Sequence, residues 1–172
     1  MGLDRAAHAQ TYRTAGRMTK TTTQIHATAI ALDDRRAALL FGPSGVGKSD
    51  LALRCILQGA WIDGRHHLAT LVADDQVIIE RTFDGLRAWP LEAIAGRIEV
   101  RGLGIVAMPH IASAAVTLAV ELVDAPEIER LPDSAATAHI LDWEIPILRV
   151  APFEASAHLK VLLALLTGLG KD

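Results

Sequence analysis

The sequence predicts an α/β domain in which a phosphate-binding loop is set into a mixed, partly antiparallel sheet flanked by helices. Three observations carry that prediction. The apolar run "AALLF" leads into "GPSGVGKS" and then into the partly amphipathic "DLALRCILQ", the strand, glycine loop and helix that a P-loop requires. Further along, short apolar runs follow one another without the alternating helices of a doubly wound fold. The chain has 172 residues, 51% hydrophobic but only 4% aromatic, which suits one core built from Ala, Leu, Ile and Val.

Taken in order, residues 1–21 carry arginines but no apolar segment of the kind a secretory signal needs, and Ala6 breaks the myristoylation pattern. A loose tail is expected there, with Met18 a candidate alternative start. The domain proper is expected over 22–172, because no repeat and no low-complexity linker divides it. "QIHATAIAL" reads as one strand, "DDRRA" as a polar turn and "ALLF" as the next strand, so a hairpin feeds the loop. In the helix after the loop, Leu51, Cys55 and Ile56 recur at helical spacing. Strands are then expected at "TLVA", "QVIIE", "LRAW", "RIEVRG", "GIVAM", "VTLAVELV" and "IPILRV". Near the end, Leu159, Leu162, Leu163 and Leu166 fall at i, i+3, i+4 and i+7, which predicts an amphipathic helix packed on the sheet.

The loop itself fits G-x-x-x-x-G-K-[ST], and each residue type has a physical reason to be there. Gly42, Gly45 and Gly47 let the backbone approach a phosphate closely in dihedrals that a Cβ would disfavour. Together Gly42, Pro43, Ser44, Gly45, Val46, Gly47, Lys48 and Ser49 form the candidate cradle, whose N–H groups open a helix and favour an anion. Lys48 adds a full positive charge, and the Ser49 hydroxyl is a first ligand for a magnesium ion that keeps most of its waters.

Composition excludes several other classes. A net charge of -3 leaves no basic stripe with which to displace counterions from nucleic acid. Cys55 is the only cysteine, so an internal disulfide and a cysteine-built zinc site are both excluded; a small buried packing residue in a reducing, cytoplasmic setting is expected. The apolar stretch "VLLALLTGLG" is far short of the roughly 20 residues of a membrane span.

Phosphoryl transfer to an alcohol needs an acid that supports the metal and a carboxylate that takes the proton. Asp74 and Asp75 end the apolar "LVA" run, Asp124 ends "LAVELV", and Glu99 lies inside "RIEVRGLGI". Neighbouring carboxylates repel, so burial beside a metal drives their proton affinities apart and divides base from metal support between them. Spacing alone does not rank these sites.

Four pieces of the chain, "GPSGVGKSD", "LVADDQV", "IEVRGLGIV" and "ERLPDSA...ILDWEIPIL", occur in the order found in HPr kinase/phosphorylase, and the chain from His26 to Leu166 resembles that family's catalytic domain. The "RGLG" segment is the most telling, since it is no part of the general P-loop vocabulary. The resemblance implies an ATP- and magnesium-dependent protein-serine kinase that phosphorylates the phosphocarrier protein HPr. Lys48 would hold the nucleotide phosphates, Ser49 and Glu99 would bind magnesium, and Asp75 would be the base. His26 would assist Asp75, and Arg130 in "ERLP" would stabilise the transferring phosphoryl. A cytoplasmic hexamer is implied in the same way.

Three departures from the family pattern stand out. The chain resembles the short bacterial form, without the additional preceding domain of longer members. "AWIDGRHHLATL" is several residues longer than the usual link, and its His66 and His67 read as a solvent-facing pair in a polar loop. Where long members carry a glycine-arginine-asparagine loop tied to the reverse reaction, this chain has "VAPFEASAH", which predicts weak or absent phosphorolysis. Two rival readings share the loop: a small-metabolite kinase, which would want an arginine-rich lid that Arg97 and Arg101 do not make, and a nucleotide-sensing module without transfer.

Overall fold

The computed structural model describes residues 10–11, 21–131 and 136–169. The expected tail thus lies mostly outside the described residues; Gln10–Thr11 (β1) is described and pairs with Gln24 and Thr23. Along the chain come β2 (Thr22–His26), β3 (Thr28–Leu32), β4 (Arg36–Phe41), α1 (Lys48–Leu57), β5 (Ala60–Ile62), β6 (Arg65–His67), β7 (Ala69–Ala73), β8 (Gln76–Arg81) and β9 (Leu86–Pro90). They are followed by β10 (Arg97–Val100), β11 (Gly104–Ala107), β12 (Ala114–Leu122), β13 (Thr137–Ile140), β14 (Trp143–Val150) and α2 (Ala157–Thr167).

Ten of these strands form one mixed sheet, ordered β1-β2-β8-β9-β12-β4-β3-β7, with β14 on β12 and β13 on β14. Among the described residues, the β4–β12 and β12–β14 ladders are parallel and the other ladders of this sheet run antiparallel. The expected hairpin is present as β3 and β4, with Asp33 and Asp34 both at φ 54 in its turn. Those dihedrals match the twist of the strands, and acidic residues tolerate them.

"QIHATAIAL" is two strands rather than one. It breaks at Ala27, so that β2 pairs with β8 while β3 pairs with β4 and β7. The facing segment breaks at Asp74 and Asp75, between β7 and β8. The two long segments thus run side by side with their interruptions aligned, and the sheet curls round through β9, β12 and β4 to meet itself. Alternating burial is lost as a result: all of β3 is buried, because both its faces are covered. One face packs with Leu51, Ala52 and Cys55 of α1 and Val161, Leu162 and Leu165 of α2. The other encloses Leu39 together with Ala29, Ala31, Ala37, Ala88 and Ala119, whose small side chains a tight curl can accommodate.

Two other expectations are corrected in detail. The buried stripe of α2 is Ala157, Val161, Leu162, Ala164 and Leu165, whereas Leu159 and Leu163 face outward at 43% and 48% exposure. Small alanines let that helix sit close to the sheet, which rotates the leucine stripe away. "AWIDGRHH" is a hairpin, β5 and β6, turning at Asp63 and Gly64 with φ 49 and 72. Its Asp-Gly pair is the local signal for that turn. His66 lies on β6, stacks on Trp61 at 5.2 Å and contacts the Gln58 carbonyl at 2.8 Å.

Candidate active site

Three pieces of backbone meet at the end of the sheet where β4 stops. The first is the glycine loop. Gly42, Gly45 and Gly47 take φ 148, 80 and 108, so the loop uses the conformational freedom that glycine supplies. Gly47 caps α1 without any side chain on the helix's first N–H groups. The Lys48 ammonium, 7% exposed as a residue, donates to the Gly42 and Pro43 carbonyls at 2.9 and 3.0 Å. Burial pushes its pKa below the ordinary lysine value, and the Asp74 and Asp75 carboxylates oppose that shift.

The second piece is the interruption between β7 and β8. The Gln76 N–H donates to the Asp74 carbonyl at 2.8 Å across Asp75, whose φ of 65 belongs to a strained three-residue turn. That turn sends the two carboxylates in opposite senses. Asp74 is buried, and it accepts the Thr28 hydroxyl at 2.7 Å, the Ser49 hydroxyl at 2.9 Å and the Glu99 N–H at 3.0 Å. Asp75 stays exposed and lies 3.1 Å from His26 Nδ1. His26 is there because β2 ends opposite Gln76, one residue before the break at Ala27.

The third piece is the β10–β11 hairpin, which brings Glu99, Val100 and Arg101 to the loop; an Arg101 nitrogen lies 3.3 Å from where a Cβ on Gly45 would sit. These pieces enclose a cleft of about 310 Å³ whose lining includes His26, Lys48, Ser49, Asp74, Asp75 and Glu99. Of the residues to which the family resemblance gives a catalytic or metal-binding role, Arg130 alone stands apart: it is exposed, in the 128–131 segment, and does not line the cleft. Asp124 is also elsewhere, with its N–H donating to the Glu127 carboxylate at 3.3 Å beside a short 3-10 turn.

Sequence reasoning missed Thr28, Arg101, Leu53 and Phe153, all of which line the cleft. Thr28 did carry a signal, as a hydroxyl inside an otherwise apolar run. Phe153 comes from the segment after β14, which had stood out only as the counterpart of the family's glycine-arginine-asparagine loop.

The donor chemistry fits a phosphate chain with a hard divalent cation. The Ser49 hydroxyl donates its hydrogen bond to Asp74, which leaves its oxygen lone pairs for the cleft. The hydroxyl and the nearby Glu99 carboxylate make the sparse, oxygen-only set that suits magnesium, which dehydrates reluctantly and takes few protein ligands. Among the described residues no group of three or more His, Cys, Asp or Glu side chains could hold a metal by itself.

Comparison with known proteins points to one family. A family model described as HPr Serine kinase C-terminal domain matches residues 17–166. An HPr kinase/phosphorylase of Brevibacillus brevis is 33% identical over 136 residues, 73% of this chain and 40% of that protein. One from Geobacter sulfurreducens is 31% identical over 123 residues, 65% of this chain and 36% of that protein. The chain therefore spans only about two fifths of the length of these relatives. The solved structure of the Hpr(Ser) kinase/phosphatase from Coxiella burnetii superposes with a TM-score of 0.65 at 23% identity, covering 81% of this chain and 87% of that one, which speaks for the fold. With the P-loop, the Asp pair and the "RGLG" hairpin converging on one cleft and the family match running through all three, this chain belongs to the HPr serine kinase C-terminal domain family.

Proposed function

We propose that the chain is an ATP- and magnesium-dependent protein-serine kinase whose substrate is the phosphocarrier protein HPr. One observation carries the reading: an exposed carboxylate, Asp75, is steadied by His26 at 3.1 Å on the rim of the cleft that holds the P-loop. In this reading Asp75 accepts the proton of the substrate serine hydroxyl as the serine oxygen forms its bond to the terminal phosphorus and the bond to the leaving diphosphate breaks. Exposure suits that task, because the acceptor hydroxyl arrives on another protein. His26 orients the carboxylate. Lys48 and the loop N–H groups would hold the phosphates, and Ser49 and Glu99 would hold magnesium, which would supply neutralisation of phosphate charge. Asp74 fixes the hydroxyl of Ser49 and, through the Glu99 N–H, the strand that carries Glu99.

Arg130 is proposed as the phosphoryl-stabilising arginine only when its segment approaches a bound substrate, since it lies outside the cleft. The reverse, phosphorolytic reaction is proposed to be weak or absent. The segment at 151–156 offers Phe153 and Glu154, and Glu154 is paired with Lys160. A cytoplasmic homo-hexamer is proposed from family membership. No described helix is long and apolar enough to cross a membrane.

The test is to incubate the protein with ATP, magnesium and HPr and to locate the added phosphate. Phosphoserine on HPr is the expected result. Asp75→Asn should keep nucleotide affinity and lose about 10²- to 10⁴-fold in transfer. If the unaltered protein binds nucleotide yet transfers nothing to HPr, the kinase reading fails in favour of a sensing module. Brisk pyrophosphate formation from phosphoserine-HPr and phosphate would contradict the one-way assignment.

A further inference from the structure

We infer that Phe153 is the platform on which the nucleotide's base rests; this deepens the nucleotide-binding reading above and depends on it. The sheet order sets the direction. β4, which launches the glycine loop, lies between β3 and β12. Thr28, Asp74, Asp75 and His26 all come from the β3 side, where β2, β3, β7 and β8 meet. β14 lies on the β12 side and delivers the segment 151–156. A phosphate chain whose reacting end faces Asp75 must therefore carry its nucleoside toward the opposite rim, where Phe153 stands.

The ring is placed for that task. It lies on the loop, with Cζ and Cε1 3.1 and 3.3 Å from the position a Cβ on Gly47 would take, so a glycine is what permits the approach. It is nevertheless 75% exposed, a large aromatic face that folding leaves open beside Leu53 in the same cleft. The backbone beneath it is tied down. Arg54 of α1 donates to the Pro152 carbonyl and, at 3.4 Å, to that of Glu154. The Glu154 N–H closes a turn on the Ala151 carbonyl at 3.2 Å, and Lys160 pairs with the Glu154 carboxylate. A fixed, open ring at the edge of a phosphate cradle offers a π-face to any purine at little cost in conformational freedom.

Calorimetric titration of the full chain with magnesium-ATP and with magnesium-tripolyphosphate separates base from phosphate. Phe153→Ala should weaken ATP binding about tenfold or more while leaving tripolyphosphate affinity within about twofold, and Phe153→Trp should restore ATP binding. Equal losses for both ligands would mean that the ring only shapes the loop, and would overturn the inference. So would an Ala variant that binds ATP like the parent, or a parent that prefers ATP no more than tripolyphosphate; in that last case the phosphate loop keeps its role. A parent that binds neither ligand would sink the platform together with the nucleotide reading.

Discussion

Removing the Asp74 carboxylate perturbs the fold and the site through one group, and its cost can be worked from the contacts. Three donors converge on it: the Thr28 hydroxyl at 2.7 Å, the Ser49 hydroxyl at 2.9 Å and the Glu99 N–H at 3.0 Å. They do not count equally in Asp74→Ala. Thr28 is 0% exposed, so its hydroxyl would be stranded without water, at about 1–3 kcal/mol. Ser49 and Glu99 line the open cleft and can be hydrated, so together they add about 1 kcal/mol. The sum is about 2–4 kcal/mol, or a fall in melting temperature of about 4–16 °C for a chain of this size. Thr28→Val alone should cost about 1.5–3 kcal/mol, the value of a hydrogen bond to a charged acceptor. The double variant should cost less than the two added together, because valine leaves no stranded hydroxyl, and the coupling should reach about 1 kcal/mol or more. Urea denaturation of the four proteins measures this directly. Strict additivity would refute the reasoning, since it would mean that Thr28 and Asp74 do not depend on one another.

Other outcomes follow from the same geometry. Lys48→Met should weaken nucleotide binding about tenfold or more, and in the parent the affinity should fall on the alkaline side beginning below the ordinary lysine pKa, both measurable by titration at several pH values. His26→Ala should lower transfer to HPr about ten- to hundredfold with a stability change under about 1 kcal/mol, because the His26–Asp75 pair is exposed on both sides. Cys55 has its thiol pKa pushed up to about 12 by burial, so it should resist thiol reagents at neutral pH until the protein unfolds. Because that pKa is raised from an ordinary value of 9.0, the unfolded chain sheds the proton first; stability should fall between pH 9 and 12, by up to about 1.4 kcal/mol per unit, and Cys55→Ala should remove that part of the slope.

What the sequence determined by itself was local. Loop and helix were legible because their chemistry is contiguous: the glycines, Lys48 and Ser49 lie within eight consecutive positions whose spacing is the function. The strand series and the hairpin into the loop were legible for the same reason, since turn residues and apolar runs act on their immediate neighbours. Spacing pointed to the Asp pair without dividing it, and only the family resemblance assigned Asp75 as the base. That division depends on a γ-type turn at Asp75 and on partners 46 and 25 positions away, Thr28 and Ser49. Nor does any local pattern reveal that "QIHATAIAL" breaks at Ala27, the break that sets His26 beside Asp75. Tertiary structure decided these matters, along with the arrival of Arg101 and Phe153 in the cleft and the position of Arg130 outside it. The physical reason is that a curled sheet with both faces covered fixes its strands by long-range pairing and burial. A one-dimensional periodicity records which residues are apolar, but not which distant backbone they will meet.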